Sequence, residues 1–130
     1  MEVVKKVIKN LKKGDFVLID NVPCKVESVS TSVSGKHGAA KTRVEAIGLF
    51  DKRRRSIVKP ADEEVEVPLL LRKKAQVLAI IQDKVQLMDL ETYETFELEI
   101  PEEKKGKFDV GDEIFYYEIM GIRTLKELKR

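Results

Sequence analysis

The stretch CKVESVSTSVSGKHGAAKTRVEAIGLF, residues 24–50, decides the fold. Residues 24–30 and 42–50 mix β-branched and small apolar residues with polar ones in short runs, which is strand chemistry. Between them SGKHGAAK, residues 34–41, holds Gly35 and Gly38, and glycine takes the positive φ values that a sharp tip needs. Strand, glycine-flanked tip and strand together predict a β-hairpin that projects Lys36 away from the body. Lys36 is the one lysine with a glycine within two residues on both sides, and its neighbour His37 is the single histidine. Lysine is also common at exposed turns, where it extends into water without any task. The residues alone therefore leave a plain surface lysine and a functional amine both open.

Outward from the hairpin, the chain reads as further short strands punctuated by turns. Upstream, Lys13, Gly14 and Asp15 form a turn signal, 16–19 is an apolar run of strand length, and 21–23 reads as a second turn. Downstream, DKRRR at 51–55 reads as a charged turn and 56–59 as a short strand stopped by Pro60. An acidic segment at 62–66 ends at Pro68, and a new series begins with LLLRKKAQ. There 76–81 and 85–90 read as a hairpin joined by a polar turn at 82–84. Phe96, Leu98 and Ile100 then alternate with Glu97 and Glu99, the period of a half-buried strand. Val110, Gly111 and Asp112 give another turn signal before a last strand at 114–119. About five strands fall on each side of Pro68. The expectation is an all-β chain of two tandem small barrels, residues 1–69 and 70–130, because closure is how short β domains remove exposed edges. A single ten-strand sandwich is the alternative.

The 130 residues are 42% hydrophobic and 37% charged, a charged fraction well above the roughly 25% of an average soluble protein. No apolar run is long enough to span a bilayer, and the first ten residues do not read as a secretion signal. A cytoplasmic protein with no membrane association is expected. The lone Cys24 cannot form an internal disulfide and suits a small buried apolar position. The net charge of +2 hides an asymmetry, with fourteen basic and ten acidic residues up to position 71 and eleven against thirteen afterwards. Between Lys25 and Lys59 there are nine basic and three acidic residues. Such a local positive field attracts polyanions, of which nucleic acid is the commonest. Lys41, Arg43, Arg53, Arg54 and Arg55 are the candidate phosphate contacts. A merely solvated basic face is the competing reading.

Most chemistry is excluded by what the motifs lack. A phosphate-binding loop needs a glycine where Ser30 stands and a Ser or Thr where His37 stands. A transition-metal site needs clustered His or Cys ligands, and the chain has one of each. Nucleophilic catalysis needs a base held by a third group, which His37 in a glycine-flanked loop lacks. Neither an enzyme nor a bound cofactor is expected.

The segment PCKVESVSTSVSGKHGAAK resembles the translation initiation factor 5A family, whose signature S-T-S-x-x-G-K-H-G-x-A-K is met here by Ser30, Thr31, Ser32, Gly35, Lys36, His37, Gly38, Ala40 and Lys41. The upstream K-x-G-x-F approach, the acidic segment leading into Val-Pro and the GDEI strand near the end are also similar. Val33 and Ala39 stand where eukaryotic members usually carry Lys and His, and the chain looks like the shorter archaeal form. The resemblance implies an SH3-like barrel followed by an OB-fold barrel. It further implies that Lys36, within the loop of Ser34, Gly35, His37 and Gly38, is converted to deoxyhypusine or hypusine by deoxyhypusine synthase with spermidine as donor. The implied partners are the large ribosomal subunit and the acceptor end of peptidyl-tRNA, where the family promotes peptide-bond formation at slow sequences such as proline runs, as a monomer. An unmodified RNA-binding or RNA-chaperone module is the alternative. In the second barrel Tyr93, Phe96, Tyr116 and Tyr117 are candidate base-stacking residues, with core packing the stronger expectation.

Overall fold

The structure is a computed structural model that describes residues 3–33 and 38–128. Eleven strands and two short 3-10 turns, at Ile8–Asn10 and Glu102–Lys104, account for its regular structure, with no α-helix among the described residues. The chain divides into two compact units, one running to Leu69 and the other comprising Leu70–Leu128.

The first unit holds β1 (Val3–Val7), β2 (Phe16–Ile19), β3 (Val22–Val33), β4 (Ala40–Gly48), β5 (Arg54–Pro60) and β6 (Glu64–Pro68). Four of them form an antiparallel sheet in the order β2-β3-β4-β5, and β1 pairs with β6. This is the small barrel-like β unit expected of the first half. Its core is Ile8, Val17, Ile19, Cys24, Val26, Val44, Ala46, Val65 and their neighbours, all buried. Cys24 is fully buried, and burial pushes its thiol pKa up, so it packs as a small apolar residue.

Several boundaries differ from the sequence reading, each for a local reason. The β2–β3 turn is Asp20 and Asn21, not 21–23; both take positive φ, 53° and 62°, the geometry of the two-residue hairpin turn that matches strand twist. Pro23 is consequently inside β3 opposite Leu18, and its carbonyl accepts the Leu49 N–H at 3.0 Å. The charged run at 51–55 is only partly a turn, since β5 begins at Arg54 and carries Pro60 as its last residue opposite Lys41. The acidic segment becomes β6: Val65 and Val67 are buried while Glu64 and Glu66 face out, with Glu66 opposite Lys5 of β1. That pairing joins residues some sixty positions apart, a separation that local pattern does not reveal.

The second unit holds β7 (Leu70–Ile81), β8 (Lys84–Asp89), β9 (Thr95–Glu99), β10 (Glu113–Ile119) and β11 (Ile122–Thr124), in the order β11-β10-β7-β8-β9. This is the second barrel, built around Ala75, Val77, Val85, Leu87, Ile100, Tyr116 and Leu125. Strand β7 begins six residues before the predicted start, because Leu70 to Ala75 pair with β10. Strand β11 follows a tight turn at Met120 and Gly121, both at positive φ.

The two units share one bending device. Strands β3 and β7 are each twelve residues long, and each carries a bulge, after Val26 and after Val77. Val26 exchanges backbone hydrogen bonds with Gly14 and Asp15, at 2.9 and 2.8 Å, and Val77 does so with Gly111 and Asp112, both at 2.8 Å. Gly14 and Gly111 both sit at φ 95°, which a side-chain-bearing residue adopts only under strain. A bulge increases local twist, and here the Gly-Asp turn docks onto the bend.

Candidate functional site: the long hairpin and its basic face

Strands β3 and β4 pair continuously from Cys24 opposite Gly48 to Val33 opposite Ala40, with one slip at the bulge. Lys36 and the loop residues Ser34, Gly35 and His37 lie outside the described residues; Gly38 is described and half-buried. The described stem of the hairpin is a long arm. Strand β2 covers β3 only from Val22 to Lys25, so from Ser28 onward the arm consists of β3, β4 and β5. A twelve-residue strand spans about 40 Å.

Three features stiffen the arm near its end. The hydroxyls of Thr31 and Thr42, directly opposite each other, are 2.8 Å apart, and Thr42 is completely buried. The Ala40 carbonyl accepts the Ala61 N–H at 2.9 Å, and the Ala61 carbonyl accepts the Lys9 N–H at 3.3 Å. Strand β5 pairs with β4 as far as Pro60 opposite Lys41. The backbone is thus tied within one residue of the last described rung.

Along β4 the even positions Thr42, Val44 and Ala46 are buried and the odd positions face outward. Lys41 and Arg43 stand in successive outward rows, flanked by Ser32 and Ser30 of β3 and by Pro60 and Val58 of β5. Arg54 opposes Ile47 two rows beyond Arg43, about 13 Å along the strand. Lys41, Arg43 and Arg54 therefore share one face. Arg43 pairs with Glu45 at 2.6 Å, and Arg54 reaches Glu27, the extra residue of the bulge, at 2.5 Å. Both arginines are more than half exposed, so these pairs are weak and exchangeable.

Arg55 does not join that face. Its side chain is only 18% exposed and grips both oxygens of Asp51, at 2.8 and 3.1 Å. The Asp51 carboxyl also accepts the Arg53 N–H at 2.9 Å. Those bonds, the Arg55 guanidinium first, hold the Asp51 pKa down to about 2. Gly48 makes this possible, since a β-carbon there would lie 2.0 Å from Asp51 Oδ1 and 2.9 Å from Arg55 Nη1. Arg55 braces the turn between β4 and β5, and Arg53 lies in that turn. The only sequence signal for the brace is Asp51 and Arg55 four apart around a turn.

The aromatic candidates of the second unit separate in the same way. Tyr116 is fully buried and donates its hydroxyl to Asp89 at 2.5 Å, with the Phe96 ring 5.0 Å away. Tyr93 is 70% exposed on the β8–β9 turn, and Tyr117 is half-buried. The sequence reading passed over Phe115, which is 39% exposed with Arg72 over its ring. Among the described residues there is no group of His, Cys, Asp and Glu that would hold a metal ion, and no helix long and apolar enough to cross a membrane.

Residues 4–63 match the family described as "Translation initiation factor 5A-like, N-terminal", and residues 70–129 match "Eukaryotic elongation factor 5A hypusine, DNA-binding OB fold". The chain is 49% identical over 121 residues to translation initiation factor 5A of Archaeoglobus fulgidus, covering 93% of this chain and 94% of that protein. It is 54% identical over 114 residues to its counterpart in Methanocella arvoryzae, covering 88% and 89%. Among solved structures it is similar to a eukaryotic translation initiation factor 5A from Methanococcus jannaschii, with TM-score 0.77, 47% identity and coverage of 93% and 90%. A family protein from Naegleria fowleri matches over the full length of both chains with TM-score 0.74 at 31% identity. Two matched domains in the same order as the two barrels, together with close identity over most of the chain, show that it belongs to the translation initiation factor 5A family.

Proposed function

We propose that this chain is a translation factor that binds the large ribosomal subunit beside peptidyl-tRNA and promotes peptide-bond formation at slow sequences such as proline runs, through a deoxyhypusine or hypusine arm on Lys36. The observation that carries this reading is the β3–β4 arm, whose stem is tied by Thr31–Thr42 and Ala40–Ala61 and leads directly into the GKHG segment. A lysine flanked by glycines, whose backbone adapts readily, can enter the site of deoxyhypusine synthase. Transfer of an aminobutyl group from spermidine lengthens the side chain by roughly 6 Å, taking bonds of about 1.5 Å, and adds a second amine. Such an arm can touch the tRNA acceptor end and hold it in a reactive geometry. Positioning lowers a barrier without supplying a chemical group, so the factor assists while the ribosome catalyses. Lys41, Arg43 and Arg54, with Arg53 in the adjoining turn, contact RNA phosphates; Arg55 holds the turn. The protein works in the cytoplasm as a monomer.

Intact mass of the protein purified from its native host tests the arm directly. A gain corresponding to an added aminobutyl group, localised to Lys36, is expected. An unmodified mass in native material would favour the plain RNA-binding module instead. In reconstituted peptide synthesis through a proline run, Lys36→Arg keeps the fold and loses the rescue, because arginine keeps the charge but is not a substrate for the same modification. Equal rescue by the variant and the modified protein would refute the arm.

A further inference from the structure

OB-folds commonly bind oligonucleotides on the face of their second and third strands and on the loops beside it. In this barrel those strands are β8 and β9, and the exposed charged residues there are Lys84, Glu97 and Glu99, with Asp83 in the adjoining turn. Lys105 reaches Asp83 at 3.4 Å but also holds Glu102 at 3.2 Å, so carboxylates still outnumber ammonium groups there and disfavour a polyanion. The outward face of β7 and β10 has the opposite character. Arg72 and Lys74 of β7 are exposed, and they stand directly opposite Tyr117 and Phe115 of β10. The Arg72 guanidinium carbon lies 3.6 Å from the Phe115 ring centroid, a stacking separation, and Lys74 Nζ lies 5.5 Å from the same centroid. Neither cation forms a salt bridge among the described residues. Lys73, between them, points to the other face and pairs with Glu118 at 3.7 Å. Glu113, in the next outward row, opposes Gln76 and forms no salt bridge with either cation.

We propose that the outward β7–β10 face is a binding surface for single-stranded RNA, in which an unpaired base stacks on the Arg72–Phe115 column and Lys74 takes the adjoining phosphate. The partner follows from the chemistry: two uncommitted cations call for an anion, and a guanidinium plane backed by an aromatic ring offers a flat face to a base. Arg72 stacked on the ring keeps its N–H edge free, so one side chain serves base and phosphate together. The proposal rests on the RNA-binding reading above and adds a second contact surface, in the barrel that does not carry Lys36.

The test is fluorescence anisotropy of a labelled twelve-nucleotide oligouridylate with the full-length protein across a salt series, run alongside ribosome binding. Phe115→Leu and Arg72→Ala are each expected to weaken oligonucleotide binding roughly ten-fold, and Phe115→Trp to restore it. Lys74→Ala is expected to lower the salt slope by about 0.7, while Lys84→Ala on the acidic face leaves affinity unchanged. Circular dichroism melting checks folding. Should Phe115→Leu unfold, the exposed Arg72→Ala and Lys74→Ala variants decide alone. Wild-type affinity in both of those variants, or loss only in Lys36→Ala, overturns the face. So does failure of the wild type to bind the oligonucleotide while it still binds ribosomes, an outcome that leaves the ribosomal reading standing. Failure to bind either one defeats both.

Discussion

Thr31 and Thr42 face each other across the β3–β4 arm with their hydroxyls 2.8 Å apart, a side-chain hydrogen bond that joins the two strands two rungs before the last described one. Thr42→Val keeps the shape and removes the hydroxyl from a fully buried position. Because Thr31 is exposed and can turn to water, the expected loss is about 1 kcal/mol. Hydrogen exchange should locate it, with faster exchange at Ser30 and Ser32 and unchanged protection in β8. Uniform acceleration throughout the chain would contradict a local tie.

Gly48→Ala places a methyl where Asp51 Oδ1 stands 2.0 Å away. The carboxylate must leave Arg55 or lose the Arg53 N–H, since both bonds converge on it. Overpacking of this kind costs about 1–3 kcal/mol. The Asp51 pKa, held down to about 2, should rise toward the usual carboxylate range, which a carbon-detected NMR titration reads. An unmoved Asp51 titration in a folded variant would contradict the brace.

Asp89 is 3% exposed. Burial alone would raise its pKa, but hydrogen bonds from the Tyr116 hydroxyl and the Thr92 and Glu91 N–H groups outweigh it and bring the value down to about 2. A carboxyl depressed in the folded state stabilises above its unfolded pKa of about 3.9, and that contribution is lost as pH falls from about 5 toward 2. Tyr116→Phe removes the strongest of these donors from a buried charge and should cost about 1.5–3 kcal/mol near neutral pH. The difference from wild type should shrink below pH 4 in denaturant titrations followed across pH. A pH-independent difference would mean that lost packing, not the charged hydrogen bond, is responsible.

Arg43, Arg54 and Arg55 lie within thirteen positions of one another yet are expected to respond differently. Arg43→Ala and Arg54→Ala remove exposed charges from the outward face and should each lower the salt slope of ribosome binding by about one unit with the melting temperature preserved. Arg55→Ala should do the reverse, lowering the melting temperature with little change in slope, because its guanidinium is held by Asp51. Wild-type slope in both exposed variants would remove the basic face from the interface.

Much of this protein is legible in its sequence because the relevant physics is local. Gly-Asp turns and period-two alternation in FELEI depend on neighbours one to four positions away, so the all-β class and most strands follow from reading along the chain. The same holds for the family signature, a run of twelve positions. What the tertiary structure decided is partnership at a distance. Nothing near VVKKV or EVEVP says that these segments pair, since each completes its hydrogen bonding only against the other. Sequence groups Arg53, Arg54 and Arg55 as one basic run, whereas alternation on β5 turns Arg54 outward and Arg55 inward onto Asp51. Phe115 reads as one apolar residue among several, and only the register of β10 against β7 sets it beside Lys74 and beneath Arg72. Strand register moves a side chain from core to surface with a shift of one residue, which is why the chemistry of a face is settled by pairing and not by composition.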